Sequence, residues 1–367
     1  MTISCPKCGT EFADTARFCN RDGTPLTAAR TATTSGGVAE RRSKARELAA
    51  AMAGGASTSP PAHATLAGQT LDGRYRIERK LGEGGMSFVY LATDLAKSNG
   101  AESRCAVKVL SPALSNDRTA MARLRREADI AGKVRHPSVC HIESLGQTAD
   151  GLAYVVMPYL EGEILADRTY RMGQIPLAEA VGYVFEIAAG LEAAHQQKIV
   201  HRDLKPENVM ITTDADGQTH AVVMDFGLAK ERLAGPELEK LTATGIVLGT
   251  PEFMSPEQLR GKVLDGRSDE YSLALITVEM LTGTLPFSGK SQQEIMLARL
   301  RSDPAPIRKL RPDLSLPSGV ERVITRGLAR NPDDRYPSAP EFAVALETAT
   351  RPGTIGNTAQ VLKKWFR

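Results

Sequence analysis

Residues 201 to 208 read His201-Arg202-Asp203-Leu204-Lys205-Pro206-Glu207-Asn208, and Asp225-Phe226-Gly227 follows after a short gap. The run supplies, in fixed order, a carboxylate able to take a proton, an ammonium, and two hard oxygen donors in Asn208 and Asp225. Such a set suits phosphoryl transfer, where catalysis is positioning and charge neutralisation around a nucleoside triphosphate and its divalent cation. His201-Arg202-Asp203 alone would mean little in a chain of 367 residues. The eight-residue run followed by Asp-Phe-Gly is specific.

Two upstream features add to it. Gly82, Gly84 and Gly85 stand in Leu81-Gly82-Glu83-Gly84-Gly85-Met86-Ser87-Phe88-Val89. Without side chains they let backbone N–H groups approach phosphate oxygens, although Gly-Gly also marks ordinary turns. Lys108 is a cation set between Ala106-Val107 and Val109-Leu110, a poor setting for a merely exposed lysine.

Elements must hold these groups in place. Arg76 to Leu81 alternates like a strand and Val89 to Ala92 resumes after the glycines, which predicts strand, turn, strand. Cys105 to Leu110 and Leu152 to Tyr159 are apolar strands, the second leading into a hinge. Thr119 to Lys133 is a charged amphipathic helix carrying Glu127. Beyond the hinge the periodicity turns helical over Ala178 to Gln196, Tyr271 to Thr282, Gln292 to Arg301, Gly319 to Leu328 and Ala339 to Thr348, with Asp269 opening the second of these. A small β-rich lobe followed by a larger helical lobe is readable from pattern alone. His136 and His195 read as core or turn residues, His201 as packing beneath the catalytic loop, and Cys105 and Cys140 as buried small hydrophobes.

Residues 1–26 form a separate cysteine-bearing module: Cys5-x2-Cys8, ten residues, then Cys19-x2-Asp22, with Gly9 and Gly23 just after each second position. Two knuckle-like turns of this kind resemble a zinc ribbon, with Asp22 where a fourth Cys is usual; an Asp oxygen is an acceptable zinc ligand. Cys5, Cys8, Cys19 and Asp22 are therefore expected to hold a structural Zn²⁺. Water as the fourth ligand, or a Cys5–Cys8 redox pair, are the alternatives. So short a segment cannot fold by hydrophobic burial alone, which favours metal as the folding agent. Residues 27–69, rich in Ala, Thr, Ser, Gly and Pro and without an aromatic residue, read as a flexible linker.

With Ser255-Pro256-Glu257, Asp269 and Arg335 following in order, the chain resembles the Hanks-type, eukaryotic-like serine/threonine protein kinases of bacteria over residues 70–347, leaving 348–367 as a C-terminal tail. The resemblance implies an α+β bilobal kinase fold behind the zinc-ribbon module. It implies transfer of the γ-phosphoryl of ATP to Ser or Thr hydroxyls of proteins, with Mg²⁺, or Mn²⁺ as the alternative. On that basis Lys108 contacts the α- and β-phosphates and pairs with Glu127. Asp203 is the catalytic base, Lys205 neutralises the moving phosphoryl group, Asn208 and Asp225 hold Mg²⁺, and Thr250 contacts Lys205 and Asp203. Gly82, Gly84 and Gly85 cover the phosphates. Leu81, Val89, Ala106, Met157 and Met210 line the adenine slot, with Pro158 and Leu160 offering C=O and N–H at the hinge. Thr242 and Thr244 match the activation-loop threonines of bacterial relatives, modified by another copy of the same kinase in a transient dimer. A buried Arg202 guanidinium would receive the phosphate. The sequence departs from the family at Ser87, where Gly is usual, and at Pro158, where Glu is common.

Bulk properties exclude other classes. A formal charge of +3 is too small to argue for nucleic acid, and the cysteine module balances Lys7, Arg17 and Arg21 against Glu11, Asp14 and Asp22. The five cysteines form no disulfide framework, which fits a reducing compartment. The N-terminus lacks an apolar signal region and no long apolar run spans a membrane, so a soluble cytoplasmic protein is expected. Two rival readings are a pseudokinase scaffold, which would need a broken Lys, Asp or metal ligand, and a binding protein led by its ribbon. No such residue is broken.

Overall fold

The computed structural model describes residues 2–4, 11–13, 66–84, 87–97, 103–148, 150–226 and 251–351. Cys5, Cys8, Cys19, Asp22, Gly85, Thr242, Thr244 and Thr250 lie outside these residues, as do residues 14–65 of the module and linker and the tail from residue 352. At the N-terminus two short strands, β1 (Thr2–Ser4) and β2 (Glu11–Ala13), pair antiparallel, with Ile3 opposite Phe12.

The small lobe is a six-stranded antiparallel sheet of β3 (Thr70–Leu71), β4 (Tyr75–Gly84), β5 (Ser87–Asp94), β6 (Arg104–Leu110), β7 (Ser144–Gln147) and β8 (Ala153–Pro158), ordered β3-β4-β5-β6-β8-β7. Leu66 is already buried among them and Gly68 N–H donates to the Ile77 carbonyl, so the folded lobe begins before residue 70. The period-2 alternation of β6 decides where its lysine goes. Cys105, Val107 and Val109 pack with Ile77, Tyr90, Tyr154 and Val156 on one face. Ala106 and Leu110 pack on the other against Leu124 and Ala128 of a helix. Lys108 shares this second face. That helix is α2 (Arg118–Ala131), preceded by the short α1 (Pro112–Ser115). Register shifts at Ile77/Arg79 and Lys80/Gly82 bend β4 just before the glycines.

After β8 the chain forms β9 (Gly162–Ile164), α3 (Leu165–Met172) and α4 (Leu177–His195). A 3-10 turn at Pro206–Asn208 then leads into the hairpin β10 (Val209–Thr213) and β11 (Thr219–Val223). Gly162 is required where it stands, because a Cβ would lie 2.1 Å from the Ile211 carbonyl oxygen across the β9–β10 pair. The remaining elements are a 3-10 turn at Pro251–Phe253, α5 (Pro256–Leu259), α6 (Gly266–Thr282), α7 (Gln292–Arg301), α8 (Ile307–Leu310), α9 (Ser318–Gly327) and α10 (Ala339–Thr350).

The large lobe is built around α6, buried from Ser268 to Thr282. The helix starts earlier than its apolar run, because Asp265 caps it by accepting from Arg267 N–H, and it stops at Gly283 in the left-handed region at φ 72°. Helices α4, α6, α9 and α10 share one core.

Two buried ionic contacts hold this lobe. In the first, Arg335 donates through both terminal nitrogens to Glu257, each at 2.7 Å, and Ser268 Oγ donates to Glu257 at 2.6 Å. Burial pushes the Glu257 carboxyl up, but Arg335 outweighs it and the group stays below its ordinary range. In the second, His195 Nε2 lies 2.7 Å from Asp269 Oδ2, and both side chains are largely buried. Burial disfavours the imidazolium, yet its bond to Asp269 prevails and His195 titrates above its ordinary value. Burial likewise opposes the Asp269 anion, and His195 with the His201 N–H holds its carboxyl below the usual range.

Glu257→Gln should cost about 3–5 kcal/mol, because it strands the Arg335 guanidinium without a counter-charge; the midpoint of urea unfolding reads this directly, and an unchanged midpoint would contradict it. The His195–Asp269 contact makes stability pH-dependent with a defined sign. A histidine with a raised folded pKa stabilises fully below its ordinary value of about 6.5, and the contribution is lost as pH climbs through the raised value. Wild-type protein should therefore lose more stability than His195→Gln across that window, and parallel stability–pH curves would exclude the linkage.

Candidate active site

The chemistry gathers where β6, the catalytic loop and the β10–β11 hairpin meet. Residues 201–208 leave α4 and are pinned by their backbone. Asp269 Oδ2 accepts from the His201 N–H at 2.8 Å and Oδ1 from the Arg202 N–H at 3.0 Å. Arg202 itself adopts the left-handed φ of 64°, a costly conformation for a non-glycine residue that the two bonds sustain. From α5, Gln258 Nε2 donates to the Arg202 carbonyl at 2.7 Å.

Within the loop Asp203 meets two donors. Lys205 Nζ lies 3.2 Å from Asp203 Oδ2, and Asn208 Nδ2 lies 2.8 Å from the Asp203 carbonyl oxygen and 3.3 Å from Oδ2. These bonds commit the Asn208 amide nitrogen and leave its Oδ1 as the donor atom for a cation. Burial opposes the Lys205 charge, but Asp203, Glu207 and Asp225 outweigh it and its pKa is raised, so the ammonium stays charged at neutral pH.

The hairpin joins this loop to Asp225. Val209 stands opposite Val223, and Met224 N–H donates to the Asn208 carbonyl at 2.8 Å, so Asn208 and Asp225 emerge side by side. Asp225 is left-handed at φ 59°. Beneath it His201 is fully buried, with Nε2 2.9 Å from the Met224 carbonyl and its ring 4.7 Å from that of Phe226, the structural packing expected of it. Lys108 Nζ reaches Asp225 Oδ1 at 2.8 Å. The lysine thus meets the expected metal-binding carboxylate. Glu127 lies on α2, but its side chain is outside the described residues.

The donor set fits Mg²⁺, which takes hard oxygen ligands and is usually bound by one or two carboxylates with substrate phosphates supplying the rest. Asp225 and Asn208 Oδ1 would hold it. Among the described residues no group of three or more His, Cys, Asp or Glu side chains is placed to bind a metal.

The residues expected to line an adenine slot are brought together in part. Ala106 and Met157 are buried in one cluster, with Val89, Leu160 and Met224 packed against it, and Ala106 lies opposite Met157 in the sheet. Leu81 is more exposed, at 37%, and Met210 is half-buried on β10, opposite Ile164 and Val222. The Pro158 carbonyl lies 3.9 Å from the Cys140 thiol, a weak contact. Burial raises the Cys140 thiol to about 12 and the Cys105 thiol to about 11, so both are the inert buried hydrophobes expected.

Three features differ from expectation. Arg202 is half-buried and not buried. The roles of Asp269 and Gln258 as anchors of the catalytic loop were not seen in sequence, because nothing local marks which buried polar group meets which backbone. The β10–β11 hairpin was also missed, although Asp216-Gly217, with Gly217 at φ 78°, is a hairpin-turn signal that would have found it.

Residues 75–344 match the protein kinase domain family. The chain is 36% identical over 284 residues to serine/threonine-protein kinase pkn3 of Myxococcus xanthus, covering 77% of this chain and 51% of that protein. It is 39% identical over 280 residues to pkn2 of the same organism, covering 76% and 33%, and 38% identical over 280 residues to PknB of Mycobacterium leprae, covering 75% and 43%. The chain therefore spans about half or less of the length of these curated relatives. Among solved structures it resembles the kinase domain of Mycobacterium tuberculosis PknI, with a TM-score of 0.60 at 29% identity over 77% of this chain and 98% of that one. Taken with the bilobal fold and the convergence of Lys108, Asp203, Asn208 and Asp225, the match shows that this chain belongs to the protein kinase family.

Proposed function

We propose that the chain is a serine/threonine protein kinase that transfers the γ-phosphoryl of Mg-ATP to Ser or Thr hydroxyls of protein substrates. The carrying observation is the convergence of Lys108, Asp203, Lys205, Asn208 and Asp225 from distant parts of the chain. Asp203 orients the acceptor hydroxyl and takes its proton as the oxygen bonds to the γ-phosphorus and the bond to the departing ADP oxygen breaks. Lys205, held charged beside Asp203, neutralises the phosphoryl oxygens. Lys108 exchanges part of its contact with Asp225 for the α- and β-phosphates. Bound Mg²⁺ supplies further charge neutralisation across the phosphates. Lys205 in the catalytic loop favours Ser and Thr over Tyr acceptors. Gly82 supports the phosphate-covering role of its loop, because a Cβ there would meet nothing within 4 Å and its φ is not positive. The protein's own packing makes no demand for glycine at this position.

Further parts of the reading concern residues outside those described. Cys5, Cys8, Cys19 and Asp22 form a structural Zn²⁺ site; the antiparallel pair Thr2–Ser4 and Glu11–Ala13 that flanks Cys5 and Cys8 supports a knuckle-bearing hairpin. Thr242 and Thr244 are activating phosphorylation sites modified by a second copy in a transient dimer. Their position between Asp225 and Ser255, and a cationic Arg202 next to Asp203, support this, since phosphothreonine adds close to two negative charges and strong acceptors.

Lys108→Met and Asp225→Asn should each lower phosphoryl transfer by about 100-fold or more while leaving the circular dichroism spectrum and thermal midpoint intact, since neither residue packs the core. Transfer of label from γ-³²P-ATP to casein at wild-type level in both variants would refute the site. Mass spectrometry of active enzyme should find phosphate on Thr242 or Thr244, and the Thr242→Ala/Thr244→Ala double variant should lose most of its activity. Unmodified threonines in active protein would rule that switch out.

A further inference from the structure

Gln258, half-buried on α5, makes contacts that ask opposite things of one side chain. Its Oε1 accepts from the Ser255 N–H at 2.8 Å, closing the capping box that starts α5. Its Nε2 donates to the Arg202 carbonyl at 2.7 Å. With an N–H on one side and a C=O on the other, the carboxamide has a single orientation that satisfies both. A carboxylate could make the first bond but not the second, and an ammonium the second but not the first. The base of the side chain is rigid, because the adjacent Glu257 is clamped by Arg335 and Ser268.

The Arg202 carbonyl belongs to the peptide plane that leads into Asp203. The other end of that plane is the Asp203 N–H, which donates to His201 Nδ1 at 3.3 Å. His201 Nε2 lies 2.9 Å from the Met224 carbonyl, so the ring donates there and offers Nδ1 as an acceptor. The plane is therefore held at its carbonyl by Gln258 and, more loosely, at its N–H by His201. Asp269 fixes the preceding Arg202 N–H at 3.0 Å. Between these anchors stands left-handed Arg202 at φ 64°, a conformation that persists only where its surroundings enforce it. Release of the carbonyl would let the plane rotate about Arg202 ψ and Asp203 φ, and the Asp203 carboxylate would turn with it.

We propose that Gln258 is a positioning residue for Asp203: its carboxamide sets the tilt of the peptide plane that presents the carboxylate, and thereby the rate of phosphoryl transfer. This role deepens the protein kinase reading and rests on it. Gln258 bonds neither Lys108, Asn208 nor Asp225, so the groups assigned to nucleotide and metal keep their own contacts when it is changed.

The test uses the full chain with casein and γ-³²P-ATP. Gln258→Glu keeps an acceptor for the Ser255 N–H, since Glu serves equally well in a capping box, but it sets an anion against the Arg202 carbonyl. At neutral pH its kcat should fall about tenfold to a hundredfold, in line with displacing a catalytic group by about 1 Å, while KM for ATP stays unchanged. The carboxyl introduced at this position becomes a donor again once protonated, and the carbonyl facing it raises its pKa. The kcat of Gln258→Glu relative to wild type should therefore climb as pH falls from about 7.5 toward about 5.5. Gln258→Met has neither donor nor titrating group; it should be slow at neutral pH and keep a flat ratio. A wild-type kcat in Gln258→Glu would overturn the proposal, as would a ratio in that variant that does not respond to pH. If circular dichroism shows Gln258→Glu unfolded, the kcat of Gln258→Met decides in its place, a wild-type value overturning the proposal; if neither variant folds, Gln258 is a general structural group and the proposal fails. Wild-type enzyme that leaves casein unlabelled would instead sink the kinase reading itself, which keeps the two failures distinguishable.

Discussion

The site depends on one carboxylate in the core of the large lobe. Asp269 sits near the start of α6, with 1% exposure, and its two oxygens accept from the His201 and Arg202 N–H groups and from His195. A catalytic loop must offer its side chains outward while its backbone runs over a packed interior, and each buried N–H facing that interior needs an acceptor. Asp269 supplies the acceptor for two successive N–H groups. His195 balances the negative charge that this requires. Left-handed Arg202 is the conformational consequence, and Asp203 is presented on the next residue.

The neighbouring position shows how narrow the physical conditions for such a charge are. Glu270 follows Asp269 in α6 and is equally buried, but both of its carboxyl oxygens are without a hydrogen-bond partner among the described residues. Burial drives its pKa well above the ordinary value, against the opposing pull of Arg335. Two consecutive acids on one helix are thus shifted in opposite directions: Asp269 below its ordinary range because three donors reach it, Glu270 well above because none does among the described residues.

The catalytic centre applies the same rule at its surface. Its two carboxylates each touch a lysine, Asp203 with Lys205 and Asp225 with Lys108, so the site is close to neutral as folded. Each pair can open toward phosphate oxygens without creating an isolated buried charge, because all four groups remain partly exposed. The pairs are supplied by different elements: a strand alternating its faces, a loop pinned from below, and a hairpin whose register sets Asn208 beside Asp225.

Much of this was legible in the sequence because it is carried by short-range pattern. The β-then-helical order, the placement of Lys108 in an apolar strand, the catalytic run and Asp225, and helices such as Gln292–Arg301 follow from local periodicity and spacing. Strand β9, helix α3 and the β10–β11 hairpin were not read, being short segments whose existence depends on their neighbours. The tertiary structure alone decided which polar groups meet: Lys108 with Asp225, Asp269 with the catalytic-loop backbone, Arg299 with carbonyls 45 to 48 positions away, and Arg335 with Glu257 across 78 positions. A side chain's own propensities act over a few residues, whereas a buried donor or charge is satisfied only by whatever packing brings within about 3 Å of it, and that is settled by the assembly of distant elements.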